Sequence, residues 1–188
     1  MHSITLRPAA QADVPAMLEI YAPYVRETAI SFEYDVPTLQ EFSARLDRVR
    51  PRHPWLLAEE DGRILGYAYA SSFKGRRAYD WAVETSIYVR REERGRGIGR
   101  LLHDGLQAAL AQQGILNMCA CIAAPHGPED ETLTCASQRF HERLGYRLVG
   151  RFSQCGCKFG RWYDMVWMEK HIGPHEENPR PVRLPDEN

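Results

Sequence analysis

The 188-residue sequence has no apolar run long enough to span a bilayer, and its first residues, Met-His-Ser-Ile-Thr-Leu-Arg, lack the hydrophobic stretch of a signal peptide. A soluble cytoplasmic protein is the resulting expectation. An excess of charge of one sign is also missing. The 24 Lys+Arg against 25 Asp+Glu leave a net charge of −1, with the signs interspersed, which argues against a general nucleic-acid or membrane surface. Cysteines are few and odd in number, five in all, and free thiols are expected. Cys119-x-Cys121 and Cys155-x-Cys157 each put two sulfurs on one face of a strand. The wider spacing of a zinc knuckle is absent, however, so no metal is expected. Neither an internal repeat nor a linker is present, and the length suits one domain with its own core. Residues 1–172 are read as that domain. Residues 173–188 carry Pro174, Pro179, Pro181 and Pro185 among charges, a tail expected to be disordered.

What the sequence does have is a concentrated stretch from Glu84 to Leu110. Ile87 to Val89 reads as a strand, followed by a short charged turn and a loop with glycines at 95, 97 and 99. The helix that opens there repeats Ile98, Leu101, Leu102, Leu106, Ala109 and Leu110 on one face. The first amides of a helix have no internal partner, the dipole favours negative charge, and glycine lets the backbone come close to a ligand. Arg94, Arg96 and Arg100 add charge suited to phosphate oxygens. The order of residues narrows the phosphate. A dinucleotide fingerprint fails because Arg100 stands where its last glycine should be, and a Walker loop lacks its Gly-Lys-Ser/Thr. What remains is Arg94-x-x-Gly97-x-Gly99, beside the plainer reading of a structural strand-to-helix turn.

The rest of the chain alternates strands and helices. Thr5 to Arg7 reads as a first strand. A helix follows from about Asp13, with Val14, Met17, Leu18, Tyr21 and Val25 on one face and Pro23 kinking or ending it. Thr38 and Glu41 form a capping box before Leu39, Phe42, Leu46 and Val49 at helical spacing. Asp61-Gly62 joins two strands, Trp55 to Glu60 and Arg63 to Phe73. Met118 to Ile122 is a short apolar strand after Gly114. An acidic loop with Glu129, Asp130 and Glu131 leads to a helix over Ser137 to Leu144, and two strands follow, at about Arg147 to Phe152 and Trp162 to Lys170.

The loop Arg94-x-x-Gly97-x-Gly99 resembles the R/Q-x-x-G-x-G/A loop with which the GNAT superfamily of N-acetyltransferases wraps the pyrophosphate of acetyl-CoA. A second run, Phe73-Lys74-x-Arg76-x-x-Tyr79-Asp80-Trp81-x-Val83-Glu84, resembles the phosphinothricin/methionine-sulfoximine N-acetyltransferase subgroup, with Phe73 where that pattern has tryptophan. Pro54-Trp55-Leu56, Leu144-Gly145-Tyr146 and Lys158-x-Gly160-x-Trp162 extend the match over about residues 4–172. The resemblance implies an α/β (α+β) GNAT fold: a mixed, mostly antiparallel sheet of six to seven strands flanked by about four helices, its fourth and fifth strands splayed. It also implies acetyl-CoA as co-substrate, no metal, a small-molecule amine acceptor and a homodimer.

Site residues follow from the same match. Glu84, at the start of the fourth strand and on one face with Ser86 and Tyr88, stands at the family's catalytic base. Partial burial beside Trp81 would raise its pKa toward a useful value. The alternative is an ordinary strand-end carboxylate. Backbone amides of Ile87, Tyr88 and Val89 are expected to serve the thioester and pantetheine. Arg94, Gly95, Arg96, Gly97, Ile98, Gly99 and Arg100 are expected to hold the pyrophosphate. His141 occupies the place of the Tyr that many GNAT enzymes use as general acid, or is simply a helix histidine. No Asn precedes that helix, which leaves Ser137 as the polar candidate for pantetheine. Phe32, Lys74, Arg76 and Tyr79 are the acceptor-side candidates, against a core aromatic and a solvated basic loop. An amino-acid analogue such as phosphinothricin or methionine sulfoximine suits those cations, while the acidic loop would suit a polyamine, an antibiotic or a protein amine. A non-catalytic CoA-binding module and a cysteine-based sensor are the readings outside enzymology.

Overall fold

The computed structural model describes residues 3–185, which divide into two units. Within the described residues the first comprises 3–20, 37–118 and 171–185, and the second 21–36 and 119–170.

The first unit contains four strands, β1 (Thr5–Pro8), β2 (Trp55–Glu60), β3 (Arg63–Ser72) and β4 (Ala82–Val89), paired antiparallel in that order. Asp61 and Gly62 turn β2 into β3 with φ of 50° and 77°, the left-handed pair that a two-residue hairpin needs. Helix α2 (Leu39–Val49) starts where its capping box lies. The Glu41 amide donates to Thr38 Oγ1 at 3.2 Å, and the Thr38 amide donates to Glu41 Oε2 at 2.7 Å. Phe42 of this helix meets Trp55 and Tyr67 edge-on, and Trp55 stacks on Tyr69 at 4.1 Å. Helix α3 (Ile98–Gln113) buries Ile98, Leu102, Leu106 and Leu110. Leu101, assigned to that face from the periodicity, is exposed, and His103 is buried instead. Gly105 permits the close approach of α3, since a Cβ there would stand 2.4 Å from Leu6 Cδ1.

Helix α1 (Val14–Glu27) begins in the first unit and ends in the second; it runs through Pro23 for another turn. Its last carbonyls find a donor, because the Lys158 ammonium bonds the oxygens of Val25 and Thr28.

The second unit takes most of β5 (Asn117–Pro125), with α4 (Ala136–Arg143), β6 (Arg147–Lys158) and β7 (Arg161–His171), in the strand order β5-β7-β6. Strand β6 continues six residues past the end expected from its apolar pattern. Its register with β7 shifts between Phe152 and Gly156, and Gln154 there has φ of 50°, a bulge that an alternation rule does not anticipate. Beyond β7, residues 173–185 adopt no helix or strand and hydrogen-bond to the rest of the first unit through His175, Arg180 and Arg183.

Candidate active site

The first unit gathers the glycine loop and the candidate base. Strand β4 pairs Glu84 with Ser71, Ser86 with Tyr69, and Tyr88 with Tyr67. Val83 and Thr85 point the other way and are buried, so pleating leaves Glu84 half-buried on the face of the aromatic layer. Burial raises the Glu84 carboxyl above its ordinary range, while the charge of Lys74 pulls it part of the way back. Among the described residues no hydrogen bond or ion pair neutralises this carboxylate. A half-buried carboxylate with a raised pKa is a stronger proton acceptor than an exposed one.

The segment before β4 holds three of the acceptor-side candidates. Lys74 Nζ lies 5.0 Å from the centre of the Phe73 ring, and Phe73 meets Tyr79 edge-on at 5.9 Å. Tyr79 and Arg76 are exposed. Behind them Asp80 is fastened by Arg52 at 3.3 Å.

Some residues of the glycine loop face open space, and others are engaged by the fold. Gly95 and Gly97 have φ of 84° and 80°, with no atom within 4 Å of where a Cβ would stand. Gly97 is the N-cap of α3, and the first α-helical bond joins the Leu101 amide to its carbonyl. The amides of Ile98, Gly99 and Arg100 therefore have no intrahelical acceptor. Open space over left-handed glycines and a helix N-terminus fit a pyrophosphate. Arg96 is engaged elsewhere: it forks onto Glu60 with both contacts at 2.9 Å and reaches Glu93 at 2.5 Å. Arg63 completes the clasp with Glu92 and Glu93. Arg100 faces Asp104 at 3.6 Å. The clasp was invisible in the sequence, since Glu60 lies 36 residues before Arg96. Ile87 and Val89 lie opposite Ala68 and Gly66, and the Tyr88 ring sits 5.4 Å from Tyr67.

In the second unit His141 is buried, with its Nδ1 donating to the Ser137 carbonyl at 2.8 Å and its ring edge-on to Tyr146 at 5.0 Å. A carbonyl only accepts, so this bond places a proton on Nδ1. Phe32 packs on Tyr163 at 6.2 Å, beside Ala29 and Leu133. Its ring rests on Gly156, where a Cβ would come within 2.2 Å. Lys158, part of the subgroup match in the sequence, is 2 % exposed and bonds three backbone carbonyls of residues 25–31.

The acidic loop spends its charge within the second unit. Glu129 is held by Arg139, and Asp130 accepts from the amides of Thr132 and Leu133 while pairing with Arg161. None of the five cysteines is in a disulfide.

Comparison with known proteins agrees with the loop and the fold. The family model for the acetyltransferase (GNAT) domain matches residues 6–167. The chain is 36% identical over 181 residues to the phosphinothricin N-acetyltransferase of Streptomyces viridochromogenes, covering 96% of this chain and 93% of that one. It is 34% identical over 179 residues to an L-methionine sulfoximine/L-methionine sulfone acetyltransferase of Pseudomonas aeruginosa, covering 94% and 99%. Among solved structures, a GNAT superfamily phosphinothricin acetyltransferase from Sinorhizobium meliloti in complex with acetyl-CoA superposes with a TM-score of 0.84 at 33% identity, covering 97% of this chain and 98% of that one. The chain belongs to the GNAT acetyltransferase family, and is an acyltransferase that uses acetyl-CoA.

Proposed function

We propose that this enzyme acetylates the primary amine of a small amino-acid analogue of the phosphinothricin or methionine sulfoximine kind, with Glu84 as general base. The observation that carries the reading is the half-buried Glu84 at the head of β4, with a raised pKa and the Lys74 charge nearby. The names of the relatives supply the acceptor class. Acetyl-CoA brings an activated thioester. The amides at the start of α3 would hold its pyrophosphate, while backbone amides of Ile87 to Val89 and the Ser137 hydroxyl would address the pantetheine and carbonyl. Glu84 takes a proton from the ammonium form of the acceptor, whose pKa of about 8 asks only for a modest base. Lys74, Arg76, Tyr79 and Phe32 would hold the remainder of the acceptor, the cations facing its carboxylate. As the imidazolium, with its Nδ1–H held by the Ser137 carbonyl, His141 would give its Nε2 proton to the departing thiolate and be left neutral.

The loop pairings favour this acceptor over a polycation. Arg139 and Arg161 neutralise Glu129 and Asp130, which leaves Glu131 as the one acid of that run without a partner cation in these pairs. A homodimer is also inferred. Strand β6 is the outer strand of its unit and exposes Leu148, Val149 and Phe152, and β7 exposes Trp162. Light scattering of the purified protein tests that assembly.

The decisive experiment measures CoA release across a panel of amino-acid analogues and polyamines, with Glu84→Gln alongside. Turnover confined to carboxylate-bearing amines and abolished in Glu84→Gln supports the reading. Acetyl-CoA binding without turnover on any amine would instead mark a non-catalytic module.

A further inference from the structure

The proline-rich C-terminal segment has the composition of a disordered tail, yet its backbone makes specific bonds along the first unit. It leaves β7 with the Ile172 amide donating to the Leu116 carbonyl at 2.8 Å. Gly173 then lies flat on the Leu116 side chain, where a Cβ would stand 2.7 Å from Cδ2. His175 Nε2 meets Asn117 Oδ1 at 2.7 Å. Further on, the Trp81 indole N–H donates to the Arg180 carbonyl at 2.8 Å. Finally Gln113 grips Arg183 at both of its backbone groups. The Arg183 amide donates to the Gln113 carbonyl at 2.9 Å, and Gln113 Nε2 donates to the Arg183 carbonyl at 3.0 Å.

These contacts converge on one short stretch. The Trp81 carbonyl accepts the amides of both Leu116 and Asn117, at 2.9 and 3.1 Å, so the same two residues that anchor the tail also anchor Trp81. Gln113 Nε2 bonds the Arg52 carbonyl at 3.0 Å, and the Arg52 guanidinium holds Asp80. The segment thus holds Trp81 directly at the indole ring, and is linked to Asp80-Trp81 indirectly through Leu116 and Asn117 and through Gln113 and Arg52. Three residues later stands Glu84, and directly before lies the loop with Lys74 and Tyr79. Prolines at 174, 179, 181 and 185 lower the entropy lost when such a segment is laid down.

We propose that residues 172–185 act as a strap that positions Trp81, and through it the acceptor loop and the start of β4; Trp81 and Arg183 are its positioning residues. The proposal rests on the acceptor-site reading above and goes beyond it, because no ligand contact is assigned to the strap itself.

Two full-length variants test it. Trp81→Phe keeps a ring and removes only the indole N–H, and Arg183→Pro suits the extended, proline-rich backbone while deleting the amide that Gln113 accepts. Each is expected to raise the acceptor KM about five-fold, the worth of one hydrogen bond, with kcat and the acetyl-CoA Kd little changed. Amide hydrogen exchange over residues 80–84 should accelerate in both. The double variant should be no worse than the more affected single one, since both cut the same strap. Unchanged KM and exchange in either variant would overturn the proposal, as would independent, multiplying effects or a parallel loss of acetyl-CoA affinity. If Glu84→Gln stays active, the base assignment fails, but exchange over 80–84 still reads the strap.

Discussion

Lys158 Nζ lies 2.6 Å from the carbonyl oxygen of Ser31, and the same ammonium reaches Val25 at 2.7 Å and Thr28 at 2.9 Å. Three donors thereby meet three acceptors in a site where the side chain is 2 % exposed. The charge sits at the C-terminus of α1, the end that favours a cation. The Thr28 and Ser31 carbonyls belong to the connector that carries Phe32, so these bonds link the strand hairpin to an acceptor-side candidate within the second unit.

Lys158→Met should therefore destabilise the fold severely. It removes the donor from three backbone acceptors at once, and the loss of one partner in a buried charged cluster costs about 3–5 kcal/mol. Lys158→Arg should recover little, because a planar guanidinium cannot point three donors at converging oxygens the way an ammonium does. Urea unfolding of both variants checks this. A Lys158→Met protein within about 1 kcal/mol of the parent would show that the carbonyls find other partners.

Glu84→Gln should lower kcat by about 10²–10⁴-fold, the usual worth of a positioned general base, and leave acetyl-CoA affinity intact. The pH profile carries a sharper expectation. A carboxyl raised by burial puts the acid limb of kcat/KM above the ordinary Glu range. The Lys74 charge lowers that pKa, so Lys74→Met should move the limb to higher pH. Stopped assays of CoA release from pH 5 to 9 would show it, and a limb that stays in place would remove Glu84 from the titrating step.

His53 predicts how stability depends on acid. It is buried, with Nε2 at 3.1 Å from Ser72 Oγ and, among the described residues, no hydrogen-bond partner for Nδ1. Burial first, then the charge of Arg52, lowers its pKa from 6.5 to about 4, against an opposing pull from Asp80. The folded state therefore stays neutral where the unfolded chain already binds a proton. Its contribution is complete above pH 6.5 and is lost as pH falls from 6.5 toward 4, an amount of about 3 kcal/mol. The difference in unfolding free energy between the parent and His53→Leu, followed across that window, isolates this residue from the carboxylates. A difference that does not change with pH would count against it.

What the sequence disclosed and what it hid divide along chain separation. Thr38 and Glu41 announced α2 because a capping box is complete within four residues, and Asp61-Gly62 announced its hairpin for the same reason. Gly95 and Gly97 announced a left-handed turn before α3 through backbone geometry that only glycine takes up readily. The Lys158 cage joins residues 127 to 133 positions apart, and the Trp81–Arg180 bond spans 99. No local pattern encodes either one. At the tail, proline and charge speak of a weak core and say nothing of the bonds that Gln113 and Trp81 make to its backbone. The acidic loop is similar, since Glu129 and Asp130 look available until Arg139 and Arg161 are brought to them.

The glycine loop yields the last prediction. Gly97 holds φ of 80° and ψ of 0° at the N-cap of α3, with nothing near the position of a Cβ. A side chain there meets no steric wall, so the cost of Gly97→Ala is the left-handed backbone alone, about 1–2 kcal/mol. The loop can relieve that strain by rotating the peptide before α3, which would turn the first helical amides away from the phosphate direction. Acetyl-CoA Kd by calorimetry should therefore rise about ten-fold in Gly97→Ala, the equivalent of 1.4 kcal/mol. Gly97→Asn should fall between the two, because Asn tolerates this region better than Ala. The acceptor KM, measured at saturating acetyl-CoA, should stay level in both. An acetyl-CoA affinity equal in all three proteins would separate the loop conformation from donor binding, and would return the glycines to the plainer role of a strand-to-helix turn.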